Sequence, residues 1–180
     1  PIAVVGCFGA ALPFPLFVKP VAEGAGKGIF VNNLCETAAQ LAERVPFLLE
    51  RYDQPVLVET YLPGPEFTVA ILGNNGDVRC LPMVGFDFAT LPAGAPPVYG
   101  YEAKWIWDTP EHPLAIFQCP PTGFPDSMCR ETERVALDAY RALGCRDWCR
   151  VDVRVDRFGV PNVVERSEER RVGKECRSRW

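Results

Sequence analysis

Asp152 and Glu165 stand thirteen positions apart, either side of the turn-forming run Asp156-Arg-Phe-Gly159. If the two flanking segments pair as a hairpin, the carboxylates fall almost opposite each other. Two facing carboxylates repel unless a cation lies between them, and ligands that are all oxygen suit Mg2+. Arg150 precedes Asp152 by two positions, so strand periodicity puts it on the same face. Arg, Asp and Glu are poor core residues, and a face carrying all three reads as the lining of a site. Arg154 continues that face, and a plain salt-bridge network is the competing reading.

A second group lies near the start. Lys19 ends an apolar run and is followed by Glu23-Gly24-Ala25-Gly26-Lys27-Gly28. Glycines expose backbone N–H groups, and with a lysine at each end such a loop suits a polyphosphate. It is not the strand–GxxxxGK[ST]–helix phosphate loop, and glycine-rich hairpins without a ligand are common. Glu59 closes another apolar run, followed by Thr60-Tyr61-Leu62 and then Glu66. A strand-end carboxylate beside exposed backbone can pair with an adenine amino group or with sugar hydroxyls; as single residues, both glutamates also read as solvated strand-end charges.

The elements that must hold these groups follow from periodicity and punctuation. Strands are expected at 14–19, 29–31, 56–60, 66–72, 78–83, 151–155 and 160–165, with a hairpin across the glycine-rich loop and a tight turn at Asn74-Asn75-Gly76. Helices are expected at 36–45, with Ala38, Leu41, Ala42 and Val45 on one face and an end or bend at Pro46, and at 126–143, closed by Gly144. Residues 91–98 and much of 110–124 read as loops. Hairpins mixed with few helices give an α+β class.

A chain of 180 residues can bury a real core, and its 48% hydrophobic and 23% charged residues are those of an ordinary globular protein. The net charge of -4 offers no general attraction to nucleic acid or to an anionic membrane, so phosphates must be met by locally placed cations. Residues 1–18 carry no charge, but Pro1, Pro13 and Pro15 argue against a membrane-spanning helix, and neither a basic leader nor an initiator Met is present. Two short strands joined by a loop fit that stretch, and the expectation is that an upstream portion is missing. The eight cysteines form no CxxC pair and read as small core residues in a reducing, cytoplasmic setting. His112, the one histidine, sits between prolines in a loop and has no clustered ligands.

From Arg166 the composition changes to RSEERRVGKECRSRW, whose net charge of +3 leaves -7 on residues 1–165. The string resembles the translation of a short sequencing adapter, and authentic sequence is expected to end at or near Glu165.

Taken together, Phe17-Val-Lys-Pro20, Glu23-Gly-Ala-Gly-Lys-Gly28, Val56-Leu-Val-Glu59, Pro63-Gly-Pro-Glu-Phe-Thr-Val69, Tyr101-Glu-Ala-Lys104, Leu143-Gly-Cys145 and Arg150-Val-Asp152 resemble, in order and spacing, the D-alanine–D-alanine ligase branch of the ATP-grasp superfamily. The resemblance runs from about Phe14 to Glu165. It implies two α+β subdomains whose antiparallel sheets sandwich ATP: a linker remnant at 1–13, a small subdomain at 14–61, a large truncated one at 62–165 and a non-native tail at 166–180. It implies that Lys19 contacts the phosphates, that Glu23, Gly24, Ala25, Gly26, Lys27 and Gly28 close over them, and that Lys104 reaches them from a mobile loop. Glu59 would meet the adenine amino group, the backbone of Tyr61 or Leu62 the purine edge, and Glu66 the ribose. Asp152 and Glu165 would bind Mg2+ or Mn2+, and Arg150 would stabilise the transferred phosphoryl group.

The implied activity joins a carboxylate to an amine through an acyl phosphate. The implied partners are small amino-acid or peptide substrates, as in peptidoglycan biosynthesis, and a second copy of the full-length protein. Other readings are a ligase for a different amino acid or peptide, an ATP- and Mg2+-binding fragment without catalysis, and an unrelated α+β binding domain. Two departures bear on this. Ala25 and Gly26 stand where the family usually has serines, which puts the amino-acid substrate in doubt, and Ser167 stands where it has a metal-binding asparagine.

Overall fold

The computed structural model describes residues 2–4, 12–74 and 76–168. The chain divides into two compact units, Pro1–Tyr61 with Phe88–Ile116, and Leu62–Asp87 with Phe117–Trp180. The sequence placed the whole of 62–165 in one subdomain, but Phe88–Ile116 clusters with the first unit. The ties are local and specific. Tyr101 N–H donates to the Ile29 carbonyl at 2.6 Å, and the Val31 N–H donates to Glu102 Oε1 at 3.3 Å.

In the first unit a four-stranded sheet is built from β1 (Ile2–Val4), β2 (Leu16–Pro20), β3 (Leu34–Cys35) and β4 (Val56–Thr60), in the order β1-β4-β2-β3. β2 runs antiparallel to β3 and β4, whereas β1 runs parallel to β4 with Ile2 opposite Val56. The sheet is therefore not purely antiparallel, and Ile2–Val4, expected within a linker remnant, is one of its strands. Residues 5–11 lie outside the described residues. Leu16, Val18, Val56 and Val58 alternate onto one face and pack on Val45 and Leu48 of α1 (Ala38–Tyr52). Each such fully buried side chain contributes about 1.5–3 kcal/mol.

α1 begins at Thr37, which forms a capping box with Gln40, and it does not stop at Pro46 but runs through it. Proline lacks the N–H for one helical bond, yet anchoring by Val45 and Leu48 on either side outweighs that local loss. The core-facing stripe is Leu41-Val45-Leu48-Tyr52, with Val45 and Leu48 buried and Leu41 and Tyr52 half-buried; Ala38 and Ala42, assigned to it from periodicity, are exposed. The expected strand at 29–31 is also absent. Val31–Asn33 forms a 3-10 turn, and the strand that pairs with β2 comes later, as Leu34–Cys35.

In the second unit β5 (Glu66–Asn74), β6 (Asp77–Cys80), β7 (Val84–Phe86), β8 (Phe117–Gln118), β9 (Trp148–Val155) and β10 (Pro161–Glu168) form an antiparallel sheet ordered β10-β9-β5-β7-β8, with β6 also on β5. Phe67, Val69 and Ile71 of β5 and Val151 and Val153 of β9 are fully buried with Ala136 and Tyr140 of α2 (Asp126–Ala142). The opposite face carries the polar residues of the same strands. Gly144 takes a positive φ of 62° just beyond α2, as its helix-closing role requires. Asn75 of the expected tight turn lies outside the described residues, as do residues 169–180 of the charged tail. The tail's first three residues are the end of β10.

No described helix is long and apolar enough to cross a membrane. The six described cysteines are all free thiols, and His112 is exposed.

Candidate functional site

β9 and β10 bring the acidic pair together. Asp152 and Glu165 are direct cross-strand partners. From Pro161 to Val163 the partners of β10 are Val155, Arg154 and Val153; the register then shifts at Val164, so that Glu165 rather than Val164 faces Asp152. Without this shift the odd spacing would place Glu165 against Val151, on the apolar side of the sheet. The turn that sets the hairpin is held by Asp156 Oδ1, which accepts from the N–H groups of Phe158 (2.8 Å) and Val160 (2.9 Å).

Arg150 lies on the same face. Its Nη2 is 2.9 Å from Asp152 Oδ2 and 3.9 Å from Glu165 Oε1, so a guanidinium supplies the positive charge that two facing carboxylates require. Arg150 Nε is buried with no hydrogen-bond partner among the described residues. Ser167 is the cross-strand partner of Arg150. The other Asp152 oxygen, Oδ1, accepts from Thr68 Oγ1 at 2.7 Å, and Thr68 is in turn the β5 partner of Asp152. Sequence reasoning missed Thr68; its signal was the alternation that puts Glu66, Thr68 and Ala70 on one side of β5.

Farther along this face Glu66 faces Arg154. Arg154 Nη1 donates to Glu66 Oε2 at 2.8 Å and its Nε to the Leu62 carbonyl at 2.6 Å. Glu66 is thus ion-paired with Arg154 and is not simply the solvated strand-end charge that was its competing reading.

In the first unit Lys19 Nζ lies 2.7 Å from Glu59 Oε1. Phe17 is the strand partner of Glu59, so the lysine reaches diagonally across β2 and β4 on the face opposite Val18 and Val58. Tyr61 N–H is engaged by the Pro15 carbonyl at 3.1 Å, which removes one backbone donor from any purine contact.

The glycine-rich loop is a series of turns, with Lys27 N–H on Gly24 O and Ile29 N–H on Gly26 O. Ala25, Gly26 and Gly28 have φ of 56°, 76° and 75°. At Gly28 a Cβ would also run into Pro20, so glycine is required there on both counts. The loop is held at its start by Gln54, which accepts from Ala22 N–H (2.6 Å) and donates to Glu23 Oε1 (3.0 Å). Lys104 was expected on a mobile loop. It lies instead on a helical turn of residues 101–107, packed on the glycine-rich loop: Trp105 Nε1 donates to the Ala25 carbonyl at 3.3 Å, and the Lys104 side chain borders Gly26.

The donor set can be compared with a divalent cation. Among the described residues no three His, Cys, Asp or Glu side chains gather as a metal cage. Mg2+ is usually held by one or two carboxylates, with phosphate and water completing an octahedron. Asp152 and Glu165, both oxygen donors on facing positions, fit that requirement in kind.

The architecture has known counterparts. The VanG D-Ala:D-Ser ligase of Enterococcus faecalis superposes with a TM-score of 0.62 at 23% identity, covering 87% of this chain and 40% of that one. The D-alanine–D-alanine ligase of Bacillus anthracis complexed with ATP gives 0.58 at 22% identity over 86% of this chain and 41% of that one. At these identities the likeness is one of fold, and the fold is α+β ATP-grasp.

Sequence carries the assignment further. The model of the D-ala D-ala ligase C-terminus family matches residues 4–166, and the chain belongs to that family. A D-alanine–D-alanine ligase of Marinomonas sp. is 39% identical over 154 residues, which is 86% of this chain and 43% of the relative. The chain therefore spans less than half the length of that relative.

Proposed function

We propose that this chain is the nucleotide-binding portion of an ATP-dependent carboxylate–amine ligase of the D-alanine–D-alanine ligase kind. The observation that carries the reading is the cross-strand register of Asp152 and Glu165, with Arg150 beside both. An arrangement of two carboxylates and a forked cation matches a divalent metal and a phosphoryl group better than it matches a core.

In this reading Lys19, Lys27 and Lys104 hold the phosphates, and N–H groups of Gly24, Ala25, Gly26 and Gly28 line them. Glu59 accepts from the adenine amino group, with Leu62 N–H on the purine edge, since the Tyr61 N–H is engaged by Pro15. Glu66 accepts from the ribose hydroxyls while remaining paired with Arg154. Asp152 and Glu165 would hold Mg2+ or Mn2+, which supplies charge neutralisation to the phosphates when bound. Arg150 donates to the oxygens of the transferred phosphoryl group through its half-exposed guanidinium.

The reaction assigned to the family-length protein begins when a substrate carboxylate attacks the γ-phosphorus, releasing ADP and forming an acyl phosphate. An amine then attacks the acyl carbon, phosphate leaves, and the amide bond forms. No side-chain nucleophile takes part. The substrates are small amino acids or peptides, whose identity the Ala25 and Gly26 positions leave open.

Calorimetric titration of the 180-residue chain with ATP, in Mg2+ and in EDTA, tests the assignment. Saturable binding that Mg2+ strengthens at least tenfold is expected; no binding in either buffer would refute it. For a family-length protein the corresponding assay is phosphate release across a panel of D- and L-amino acids.

A further inference from the structure

The glycine-rich loop ends on a buried polar relay that the nucleotide reading does not use. Asn33 is fully buried, and its Nδ2 donates to the Gly28 carbonyl at 2.5 Å. Its Oδ1 accepts from Arg44 Nε at 2.8 Å. Arg44 comes from the packed face of α1, is 8% exposed, and holds its guanidinium 4.3 Å from the Phe47 ring centroid and 5.1 Å from that of Phe30. An arginine and an asparagine buried among aromatic and aliphatic side chains cost desolvation that an apolar pair would avoid. Their joint effect is to fix one backbone carbonyl, the last of the loop.

That carbonyl governs more than its own residue. Ile29 O accepts from Tyr101 N–H, and the Val31 N–H donates to Glu102, so the segment leaving Gly28 carries the helical turn on which Lys104 and Trp105 stand. Trp105 then returns to Ala25 at the loop's crest. Position 28 is thus the common root of the loop bearing Lys27 and of the turn bearing Lys104.

We infer that Asn33 and Arg44 are positioning residues for polyphosphate binding, acting through the Gly28 carbonyl to hold Lys27 and Lys104 against the same ligand. The inference rests on the nucleotide reading above. Neither side chain touches the ligand; each sets where the cations stand.

Asn33→Asp is the discriminating variant. It keeps the shape and the acceptor for Arg44, gaining an ion pair, but replaces the donor to Gly28 with an oxygen that repels its carbonyl. Arg44→Met is the second, preserving bulk while leaving Asn33 Oδ1 unpaired. Two readouts are taken on the full chain: native-state trypsin cleavage after Lys27, with cleavage after Arg79 in the second unit as reference, and ATP affinity in Mg2+. Both variants are expected to cleave after Lys27 roughly tenfold faster than wild type relative to Arg79, and to bind ATP roughly tenfold more weakly.

Unchanged Lys27 cleavage and ATP affinity in both variants would overturn the inference. So would equal acceleration at Lys27 and Arg79, which would make the pair a general fold element. If wild type binds no ATP, the nucleotide reading fails and takes the positioning role with it, whereas faster cleavage at Lys27 alone would still show the relay anchoring the loop. Failure of either claim is thereby distinguished.

Discussion

Glu165 faces Asp152 only because the register of β10 shifts at Val164. The residues before the shift pair in one phase and those after it in the next, and the change turns a carboxylate from the apolar side of the hairpin to the polar one. A single irregular residue thus converts a strand that could have been purely structural into one half of an acidic pair, with Arg150 bound to its partner at 2.9 Å.

Thr68 fixes the rotamer of Asp152 through its 2.7 Å hydrogen bond to Oδ1. Thr68→Val keeps the shape and β-branching but leaves that oxygen without its donor. The expected stability loss is about 1 kcal/mol in urea unfolding. The expected loss in Mg2+-dependent ATP affinity is near tenfold, because the Asp152 carboxylate loses the hydrogen bond that fixes its orientation on the polar face. Affinity equal to wild type would remove Thr68 from the site.

Glu59 offers a base-specificity test. Inosine triphosphate carries an oxygen where ATP carries the amino group, so a carboxylate that accepts from that amino group must disfavour it. Wild type is expected to bind ATP roughly tenfold more tightly than ITP, and Glu59→Ala to bring the ratio near unity. The change should cost little stability, since the Lys19–Glu59 pair is 21% and 27% exposed and such pairs contribute about 0–1 kcal/mol. A ratio preserved in the variant would assign the adenine contact elsewhere.

Much of this arrangement was legible. β4 is Val56–Thr60 as the apolar run indicated, α2 starts at Asp126 and closes before Gly144, and the polar face of β9 follows from alternation at Arg150, Asp152 and Arg154. What escaped the sequence depends on partners distant along the chain. Ile29–Val31 looked like a strand, but the buried Asn33 draws that segment into a 3-10 turn toward Gly28 and Arg44. Residues 101–107 carried no strong helical period, and their turn is stabilised by Ile29, Val31 and Ala25 from the loop region, contacts no local pattern announces.

Pro46 gives a test of that local-against-tertiary balance. It is exposed within α1, and its ring removes one helical hydrogen bond. Pro46→Ala restores the donor in a helix already anchored by Val45 and Leu48, and stabilisation of about 1–3 kcal/mol is expected in urea unfolding. A destabilised variant would mean that the ring itself is needed for the path of α1.

Burial pushes the thiols of Cys80 and Cys149 up to about 11 from an ordinary 9.0. Between those values the folded chain keeps protons that the unfolded chain releases. The stability these groups contribute is therefore complete below pH 9 and lost as pH rises toward 11. Urea midpoints should fall across that window, and the Cys80→Ala, Cys149→Ala double variant should show a shallower fall. An unchanged slope would place both thiols near their ordinary value.

The most direct test of the central claim, that the β9–β10 hairpin holds a divalent cation, is an electron-spin-resonance titration of the chain with Mn2+ in the presence of ATP. Wild type is expected to immobilise the ion with its nucleotide, and Asp152→Asn with Glu165→Gln to weaken that binding at least a hundredfold while melting near the wild-type temperature. Equal Mn2+ affinity in the folded double variant would contradict the account.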